Sequence, residues 1–359
     1  MEIFNRVVKE IEKNRLLREE GLYTCIPWVN LPKFSTVIPG IEKSRYTICS
    51  ANSKVGKTQI ADYLYLYQPY EFVTTHKSNI KIKILYFSLE IGKNAKMLGI
   101  ISNKLYTTFG LTIDPQNLLS KFGNFILPKE HEDKIKGLEV YFEEFEKTVT
   151  IIDSIRNAFG IYKYCRDWFE KNGTIHYKTV NFSGEDHKIM DYYEPTDPDL
   201  YTLIIIDNYN LLTPEKGMDL KGAIEKFSSD YALTLRDKFG AHVIAIQQQM
   251  AAREQQEYTK GGGLLEQKLR PSADGLGDSK LSGRDCDYLI GLFAPSRFNI
   301  PRWANYDINR LGDNHRELSL SLNRHGSGFK SVQLYFNGAV NHFSELEAPE
   351  IIKYEKYNK

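Results

Sequence analysis

The sequence predicts an α/β fold built around a mostly parallel β-sheet. From residue 45 onward, short apolar segments alternate with helical ones, which is the pattern of a parallel sheet covered by helices. The segment "LYTLIIIDN" (200–208) is a continuous apolar run, as expected of a central strand buried on both faces. The segment "SANSKVGKTQ" (50–59) stands between the first strand and a helix and resembles a phosphate-binding loop.

The composition is that of an ordinary soluble globular protein. The chain has 359 residues, of which 42% are hydrophobic and 26% charged. Because 47 Lys and Arg nearly balance 46 Asp and Glu, a global attraction for nucleic acid is absent. The cysteines match no metal-ligand spacing and indicate a reducing compartment; they are Cys25, Cys49, Cys165 and Cys286. No apolar run reaches about 18 residues, so we expect a cytoplasmic protein without a membrane span.

Six strands are predicted for the body of the chain. They lie at 45–50, 81–90, 148–153, 200–208, 241–249 and 287–295, and helical segments connect most of them. Two further segments do not follow this alternation of strands and helices. Residues 173–195 alternate around Ser183-Gly184 and predict an inserted β-hairpin. The alternating residues near the C-terminus include Asn337-Gly338 and predict an antiparallel hairpin at the sheet edge.

The N-terminus predicts an amphipathic helix over residues 2–20. Its apolar residues recur at helical spacing; they are Ile3, Phe4, Val7, Val8 and Ile11. A segment with two prolines follows, so the helix either folds back on its own domain or docks on a neighbouring subunit. We therefore divide the chain into a linker helix (1–25), an α/β domain (26–348, with the inserted hairpin at 173–195) and a loose tail (349–359).

The loop after the first strand follows the pattern G-x-x-x-x-G-K-[ST], except that Ala51 replaces the first glycine. Its backbone amides would cradle the phosphates of ATP, Lys57 would reach the β- and γ-phosphates, and the Thr58 hydroxyl would hold Mg²⁺. If residue 51 needs a left-handed conformation, alanine costs roughly 1–2 kcal/mol there. The predicted nucleotide-binding residues are Ala51, Asn52, Ser53, Lys54, Val55, Gly56, Lys57 and Thr58.

Three more polar residues end predicted strands. Asp207 would hold Mg²⁺ at the sheet edge, unless it only caps the next turn. Glu90 would orient the attacking water if its strand neighbours the strand before the loop; the alternative is an N-cap for the next helix. Gln248, or next Gln247, would sense the γ-phosphate, unless it is an ordinary polar strand end.

Together these motifs resemble the RecA-like ATPase core of DnaB-type replicative helicases. "ANSKVGKT" is similar to that family's phosphate loop, where alanine in the first position is tolerated, and "ILYFSLE" to the strand carrying its catalytic glutamate. "LIIIDNYNLL" resembles its Walker B segment, and "VIAIQQQMAAR" its glutamine motif. "LSLNRHGSGFKSVQLYFNGAVNHF" resembles its C-terminal strand, arginine finger and closing hairpin. The likeness spans roughly residues 30 to 345, without the family's N-terminal domain.

The resemblance implies a P-loop NTPase that hydrolyses ATP with Mg²⁺ and unwinds DNA. Arg324 would be the finger inserted into the next subunit's nucleotide, so a homo-oligomer is implied, with a hexameric ring as the family form. Single-stranded or forked DNA, a primase and a loader are the implied partners, in the host cytoplasm if the gene belongs to a phage. Residues that could contact DNA are Arg253, Lys260, Lys268 and Lys280.

The sequence leaves two alternatives open. A recombinase-like filament protein would share the fold but pair strands rather than separate them. A nucleotide-gated scaffold or loader would bind ATP with little turnover. The second alternative rests on Leu322, which stands where the family has a lysine that contacts the γ-phosphate.

Overall fold

Strands and helices alternate along most of the chain in the computed structural model, which describes residues 2–121, 123–250, 268–326 and 328–357. The strands within these ranges are β1 (Arg45–Ala51), β2 (Lys81–Ser88), β3 (Val149–Ile152), β4 (Gly173–Phe182), β5 (Glu185–Pro195), β6 (Leu200–Asp207), β7 (His242–Gln248), β8 (Tyr288–Phe293), β9 (Arg302–Trp303), β10 (Tyr306–Asp307), β11 (His315–Asn323), β12 (Lys330–Asn337) and β13 (His342–Glu345).

The helices fill the intervals between these strands. Within the described ranges they are α1 (Glu2–Glu19), α2 (Pro32–Ser35), α3 (Lys57–Asp62), α4 (Gln68–Thr75), α5 (Lys93–Phe109), α6 (Lys129–Lys136), α7 (Glu139–Thr148), α8 (Ala158–Lys171), α9 (Leu220–Lys226), α10 (Leu233–Asp237), α11 (Leu281–Asp285) and α12 (Ile308–Leu311). π-Helical turns at Tyr63–Tyr67 and Phe227–Ala232 join α3 to α4 and α9 to α10, so each pair forms one continuous helix.

Nine of the described strands form one sheet, in the order β13-β12-β11-β8-β1-β7-β6-β2-β3. The six strands from β8 to β3 pair in parallel. Strands β11, β12 and β13 add an antiparallel edge. The predicted α/β fold with a C-terminal antiparallel hairpin is thus confirmed. Because helices cover both faces of the parallel part, most residues of its strands are buried, including every residue from Leu203 to Asp207 of β6.

The two faces of β6 belong to two different cores. Leu203 and Ile205 pack with the layer formed by α3, α4, α5 and α7, whereas Ile204 and Ile206 pack with the layer formed by α8, α9 and α10. This division follows from the strand geometry, since successive side chains point to opposite faces. The helix layers leave the strand ends accessible, and polar residues are found there.

A buried histidine opens β7. Nδ1 of His242 lies 2.9 Å from the Glu42 carbonyl oxygen, and Nε2 lies 2.9 Å from the Thr47 hydroxyl. The neutral ring can donate from Nδ1 and accept at Nε2, so it satisfies both partners. Burial lowers the pKa of His242 to about 4, because the protonated ring would have to be desolvated.

The N-terminal helix is present as α1, and its two sides have different surroundings. Lys13, Asn14 and Leu17 line a cavity shared with residues of the α/β domain, so this side lies along the domain. Three residues of the apolar stripe, Phe4, Val7 and Ile11, are 70%, 48% and 61% exposed. The helix therefore lies along its domain with one side, while these three apolar residues face away from it.

The inserted hairpin is present as β4 and β5, joined by Ser183 and Gly184, both with positive φ. Near its base, Tyr193 packs against Phe169 and Phe239. Its tip extends into solvent. The hairpin is thus anchored at one end only.

The tail is not loose, which corrects the prediction for residues 349–359 within the part that the structure describes. Tyr357 packs against Tyr335, with ring centroids 5.2 Å apart, and the Arg310 guanidinium lies 4.3 Å from the Tyr354 ring centroid. The charges of the tail suggested a solvated segment, but its aromatic residues have apolar surface to bury. Among the described residues, no helix is both long and apolar enough to cross a membrane.

Candidate nucleotide-binding site

The loop that follows β1 has the backbone of a phosphate cradle. Ala51 is the last residue of β1 and pairs in parallel with Gln248 on one side and Leu292 on the other. Its conformation is that of a strand, so alanine is accommodated without cost. The left-handed conformations occur later, at Lys54 (φ 58°) and Gly56 (φ 107°).

Gly56 is the position where a side chain would interfere. A Cβ atom there would lie 3.1 Å from the Gln59 side-chain oxygen and 3.5 Å from the Phe336 ring, and its φ of 107° disfavours any L side chain. Lys57 begins α3 immediately afterwards. The loop therefore delivers the chain into the helix N-terminus, where free amides and the helix dipole favour an anion.

One side chain of the loop is buried without a partner. Asn52 is 3% exposed, and neither its amide nitrogen nor its amide oxygen has a hydrogen-bond partner. A buried polar group left unpaired costs about 1–3 kcal/mol, so a ligand that supplies a partner would recover that energy. This orphaned amide and the left-handed loop both fit a phosphate-bearing ligand.

The predicted residues at the ends of four strands line a single cleft with a volume of about 490 Å³. Its lining residues come from the loop and α3, from the segment after β2, and from the ends of β6 and β7; they are Ser53, Lys54, Gly56, Lys57, Thr58, Gln59, Glu90, Ile91, Asp207 and Gln248. The other predicted loop residues, Ala51, Asn52 and Val55, are buried. Residues up to about 200 positions apart are thereby brought within reach of one ligand.

Asp207 is fully buried and lies at the base of the cleft. Its Oδ1 accepts a hydrogen bond from the Thr58 hydroxyl at 2.9 Å, and its Oδ2 accepts one from the Tyr86 hydroxyl at 2.8 Å. Mg²⁺ prefers one or two protein oxygens combined with phosphate oxygens and water. The adjacent oxygens of Thr58 and Asp207 fit that requirement.

Glu90 reaches the cleft by a route that differs from the predicted one. Its strand, β2, is not next to β1; it pairs with β6, and Ser88 lies opposite Asp207. The condition attached to the role of Glu90, that its strand neighbours β1, is therefore not met, yet Glu90 still lines the cleft. The Glu90 amide instead donates to the Asp207 carbonyl oxygen at 3.2 Å, and Asn208 Nδ2 donates to Glu90 Oε2 at 2.8 Å.

The alternative role of Glu90 as a helix cap does not fit the structure. Helix α5 begins at Lys93, and the Lys93 amide donates to Asp153 Oδ2 at 2.9 Å. Asp153, the residue after β3, therefore accepts the hydrogen bond from the first amide of α5. The Glu90 carboxylate is left facing the cleft with Asn208 as its partner.

The three glutamines at the end of β7 have different surroundings. Gln247 is fully buried; its Nε2 donates to the Gly277 and Ser279 carbonyl oxygens at 2.6 and 2.9 Å. Gln249 is also buried, and its Nε2 donates to Ser50 Oγ at 2.8 Å. Gln248 alone of the three lines the cleft. The Gly277 amide donates to the Gln248 carbonyl oxygen at 2.8 Å, which links this strand end to the 277–280 segment.

Arg324 lies near the amino-terminal ends of the parallel strands, whereas the cleft lies at their carboxyl ends. Strand β11 runs antiparallel to β8, so Asn323 pairs with Tyr288 at the start of β8, whereas Leu292 near its end pairs with Ala51. Roughly 13 Å of strand separates the two levels. Arg324 Nε donates to the Cys286 carbonyl oxygen at 2.7 Å. The structure therefore does not bring Arg324 to the cleft of its own chain.

This chain is similar in structure to solved proteins, two of which are described next. The ATPase domain of G40P matches with a TM-score of 0.64 and 19% identity, covering 96% of this chain and 98% of that one. A DnaB-like replicative helicase, solved for its interactions with primase, matches with a TM-score of 0.62 and 18% identity, covering 96% of this chain and 66% of that one. The chain has the fold of a DnaB-type ATPase core. No protein-family model and no curated protein matches the sequence.

The basic residues predicted to contact DNA are only partly described. Arg253 and Lys260 fall within 251–267, outside the described residues. Lys268 and Lys280 are both exposed. Lys280 directly follows the 277–279 segment that is hydrogen-bonded to the glutamines. These two lysines are placed on the surface, and one of them is close in sequence to a segment coupled to the cleft.

A buried charged cluster next to Asp207 was not predicted from the sequence. Lys96, on α5, is 3% exposed and donates to both carboxylate oxygens of Asp62, on α3, at 2.7 and 2.8 Å. Tyr86 stands between the two carboxylates. Burial raises the pKa of Asp62 to about 6, with Lys96 opposing the shift. One signal was present in the sequence: Asp62 is the only charge in "IADYLYLYQ", an otherwise apolar or uncharged helical stretch.

Asn208 was also missed. The residue after Asp207 is an amide and not an acid, so its type does not indicate a catalytic role. Its amide nitrogen binds Glu90, and its amide oxygen is buried without a partner. Nothing local in the sequence indicates this contact, because Asn208 and Glu90 meet only through the pairing of β2 with β6.

Proposed function

We propose that this chain is the ATP-hydrolysing core of a replicative DNA helicase that works as a ring on single-stranded DNA. The observation that carries the proposal is the cleft, where Lys57, Thr58, Asp207, Glu90 and Gln248 converge. These residue types supply phosphate binding, metal binding, water orientation and γ-phosphate contact. The similarity in fold to proteins described as a G40P ATPase domain and a DnaB-like helicase supports this choice.

Each residue of the cleft has a distinct part in hydrolysis. Lys57 and the loop amides bind the β- and γ-phosphates, while Thr58 and Asp207 hold Mg²⁺, which neutralises phosphate charge when bound. Glu90 orients the attacking water and accepts its proton as the water oxygen bonds to the γ-phosphorus; the bond from the γ-phosphorus to the β–γ bridging oxygen breaks, and ADP leaves with that oxygen. Asn208 fixes the Glu90 carboxylate for that task.

The position of Arg324 supports a shared site. An arginine at the far edge of the sheet cannot complete the cleft of its own chain, but a head-to-tail neighbour can present it to the adjacent subunit. An arginine supplied in this way stabilises the charge on the transferring phosphoryl group. The exposed apolar residues of α1, including Phe4 and Ile11, offer a second contact between subunits. We infer a closed ring, with six subunits as the resemblance implies.

The coupling to DNA would run through β7. Gln248 faces the γ-phosphate position, and its carbonyl group is hydrogen-bonded to Gly277, three residues before Lys280. A shift of Gln248 on hydrolysis would therefore move a segment that leads to an exposed lysine. Lys268 and Lys280, together with Arg253 and Lys260, would contact the phosphate backbone. A primase or a loader remains a proposed partner.

The deciding experiment measures ATP hydrolysis and forked-DNA unwinding with and without single-stranded DNA. We expect DNA-stimulated turnover and unwinding, both abolished in Lys57→Ala and unchanged in Lys129→Ala, which removes a lysine exposed on α6. Strand exchange by open filaments, without unwinding, would favour the recombinase-like alternative. ATP binding with little turnover would favour the scaffold. Absence of Lys57-dependent ATP binding would overturn the proposal.

A further inference from the structure

The cluster behind Asp207 forms a directed hydrogen-bond network. The Tyr86 hydroxyl lies 2.8 Å from Asp62 Oδ1 and 2.8 Å from Asp207 Oδ2, yet it carries a single proton. Lys96 donates to both oxygens of Asp62 and also to the Tyr86 oxygen. Since Lys96 already satisfies Asp62, the Tyr86 proton is available to Asp207.

The charges of this cluster do not cancel. Two buried carboxylates, Asp62 and Asp207, lie near one buried ammonium group, which leaves one net negative charge. Lys96 Nζ is 2.7 Å from Asp62 Oδ2 but 3.4 Å from Asp207 Oδ2. Lys96 therefore forms its ion pair mainly with Asp62, and the net negative charge of the cluster remains on Asp207, beside Thr58.

We propose that Asp62, Tyr86 and Lys96 are positioning residues that set the affinity of the site for its divalent metal ion. Tyr86 fixes Oδ2 of Asp207, so Oδ1 stays beside the Thr58 hydroxyl. Asp62 keeps Lys96 from forming a full ion pair with Asp207, which would compete with the metal ion. The inference rests on the proposed function, because it requires that the cleft binds Mg²⁺ together with ATP.

A purely structural ion pair makes a different prediction. Buried pairs often contribute little net stability, and replacing both partners with uncharged residues of similar size is frequently neutral. Removing one partner leaves an uncompensated charge and destabilises the protein. If the cluster only held the fold together, its variants would change thermal stability and leave the metal requirement of the folded protein unchanged.

The test measures binding of a fluorescent ATP analogue, by anisotropy, as Mg²⁺ is titrated and also in EDTA. Asp62→Asn frees Lys96 to pair with Asp207, so we expect the half-saturating Mg²⁺ concentration to rise about 10–100-fold, the range typical for groups that orient metal ligands. Binding in EDTA should stay within about twofold. The double variant Asp62→Asn/Lys96→Met removes the competing charge and should recover most of the metal affinity.

Two further variants keep the test decisive. Tyr86→Phe removes one oxygen atom and preserves the packing, so it covers the case in which the charge variants do not fold; we expect a smaller increase in the Mg²⁺ requirement, about fivefold, a few times below the range for lost orienting groups. Asp197→Asn breaks the surface ion pair with Lys81 and is the matched control, expected to leave the titration unchanged.

The outcomes separate this inference from the proposed function. A parent protein without Mg²⁺-dependent nucleotide binding would overturn both. A parent that binds normally, with Asp62→Asn and Tyr86→Phe showing the parental Mg²⁺ requirement, would overturn only the inference. So would a double variant that is no better than Asp62→Asn alone. Thermal unfolding without ligand provides the independent readout of a structural role.

Discussion

The hydrogen bond between Asn208 and Glu90 gives a quantitative prediction for Asn208→Ala. The donor and acceptor are 2.8 Å apart, and the acceptor is a carboxylate. Hydrogen bonds to charged groups contribute about 1.5–3 kcal/mol. Glu90 is exposed, so water replaces part of the lost interaction and the lower figure applies. Since about 1.4 kcal/mol corresponds to a factor of ten in rate, we expect kcat for ATP hydrolysis to fall about tenfold.

The assay is steady-state ATP hydrolysis in the presence of single-stranded DNA, with kcat and KM measured separately. We expect KM for ATP to change little, because Asn208 orients Glu90 rather than the phosphates. Glu90→Gln removes the carboxylate, so adding Asn208→Ala to it should cost nothing further. The reasoning is refuted if kcat of Asn208→Ala stays within twofold of the parent. It is also refuted if adding Asn208→Ala to the Glu90→Gln protein lowers kcat by a further factor of about ten.

Three other predictions concern residues that the structure separates. Arg324→Ala and Glu90→Gln subunits, each with strongly reduced turnover alone, should regain ATP hydrolysis when assembled together, because a neighbour can supply the missing group; a mixture no more active than its components would contradict a shared site. Gln247→Ala should lower the free energy of unfolding by about 2 kcal/mol or more, since it leaves buried carbonyl groups unpaired. Gln248→Ala should instead lower turnover without changing the melting temperature. If Gln247→Ala lowered only turnover and Gln248→Ala lowered only stability, Gln247 and not Gln248 would be the residue that contacts the γ-phosphate. His242 is held neutral in the folded protein, with a pKa lowered from 6.5 to about 4, whereas the unfolded chain binds the proton near pH 6.5. Stability should therefore fall as pH drops below 6.5, by about 2 kcal/mol at pH 5. His242→Asn should lose this part of the acid sensitivity in denaturant titrations at pH 5 and pH 7, and an unchanged pH dependence would show that another group is responsible.

Much of the fold could be predicted because its signals are local. The apolar run of β6, the loop before α3 and the alternation in the inserted hairpin each arise from neighbouring residues, whose pattern is set by strand or helix geometry. The candidate residues were found in the same way. In a parallel sheet, polar residues at carboxyl ends of strands collect at one edge, wherever the strands lie in the order.

Other features depended on contacts between distant segments. The neighbour of β2 is β6 rather than β1, and this pairing places Asn208 beside Glu90. The tail packs through Tyr354 and Tyr357 although its composition suggests a solvated segment. Neither result can be read from a window of adjacent residues, because each depends on which surfaces meet after the helices have covered the sheet.

The sequence by itself determined the alternation of strands and helices, the phosphate loop and the polar strand ends, since backbone geometry and side-chain periodicity act over a few residues. The tertiary structure alone decided the strand order, the burial of Lys96 between Asp62 and Asp207, and the edge at which Arg324 emerges. Those features depend on packing and on the desolvation of charges, and both are fixed only when segments far apart in the chain come together.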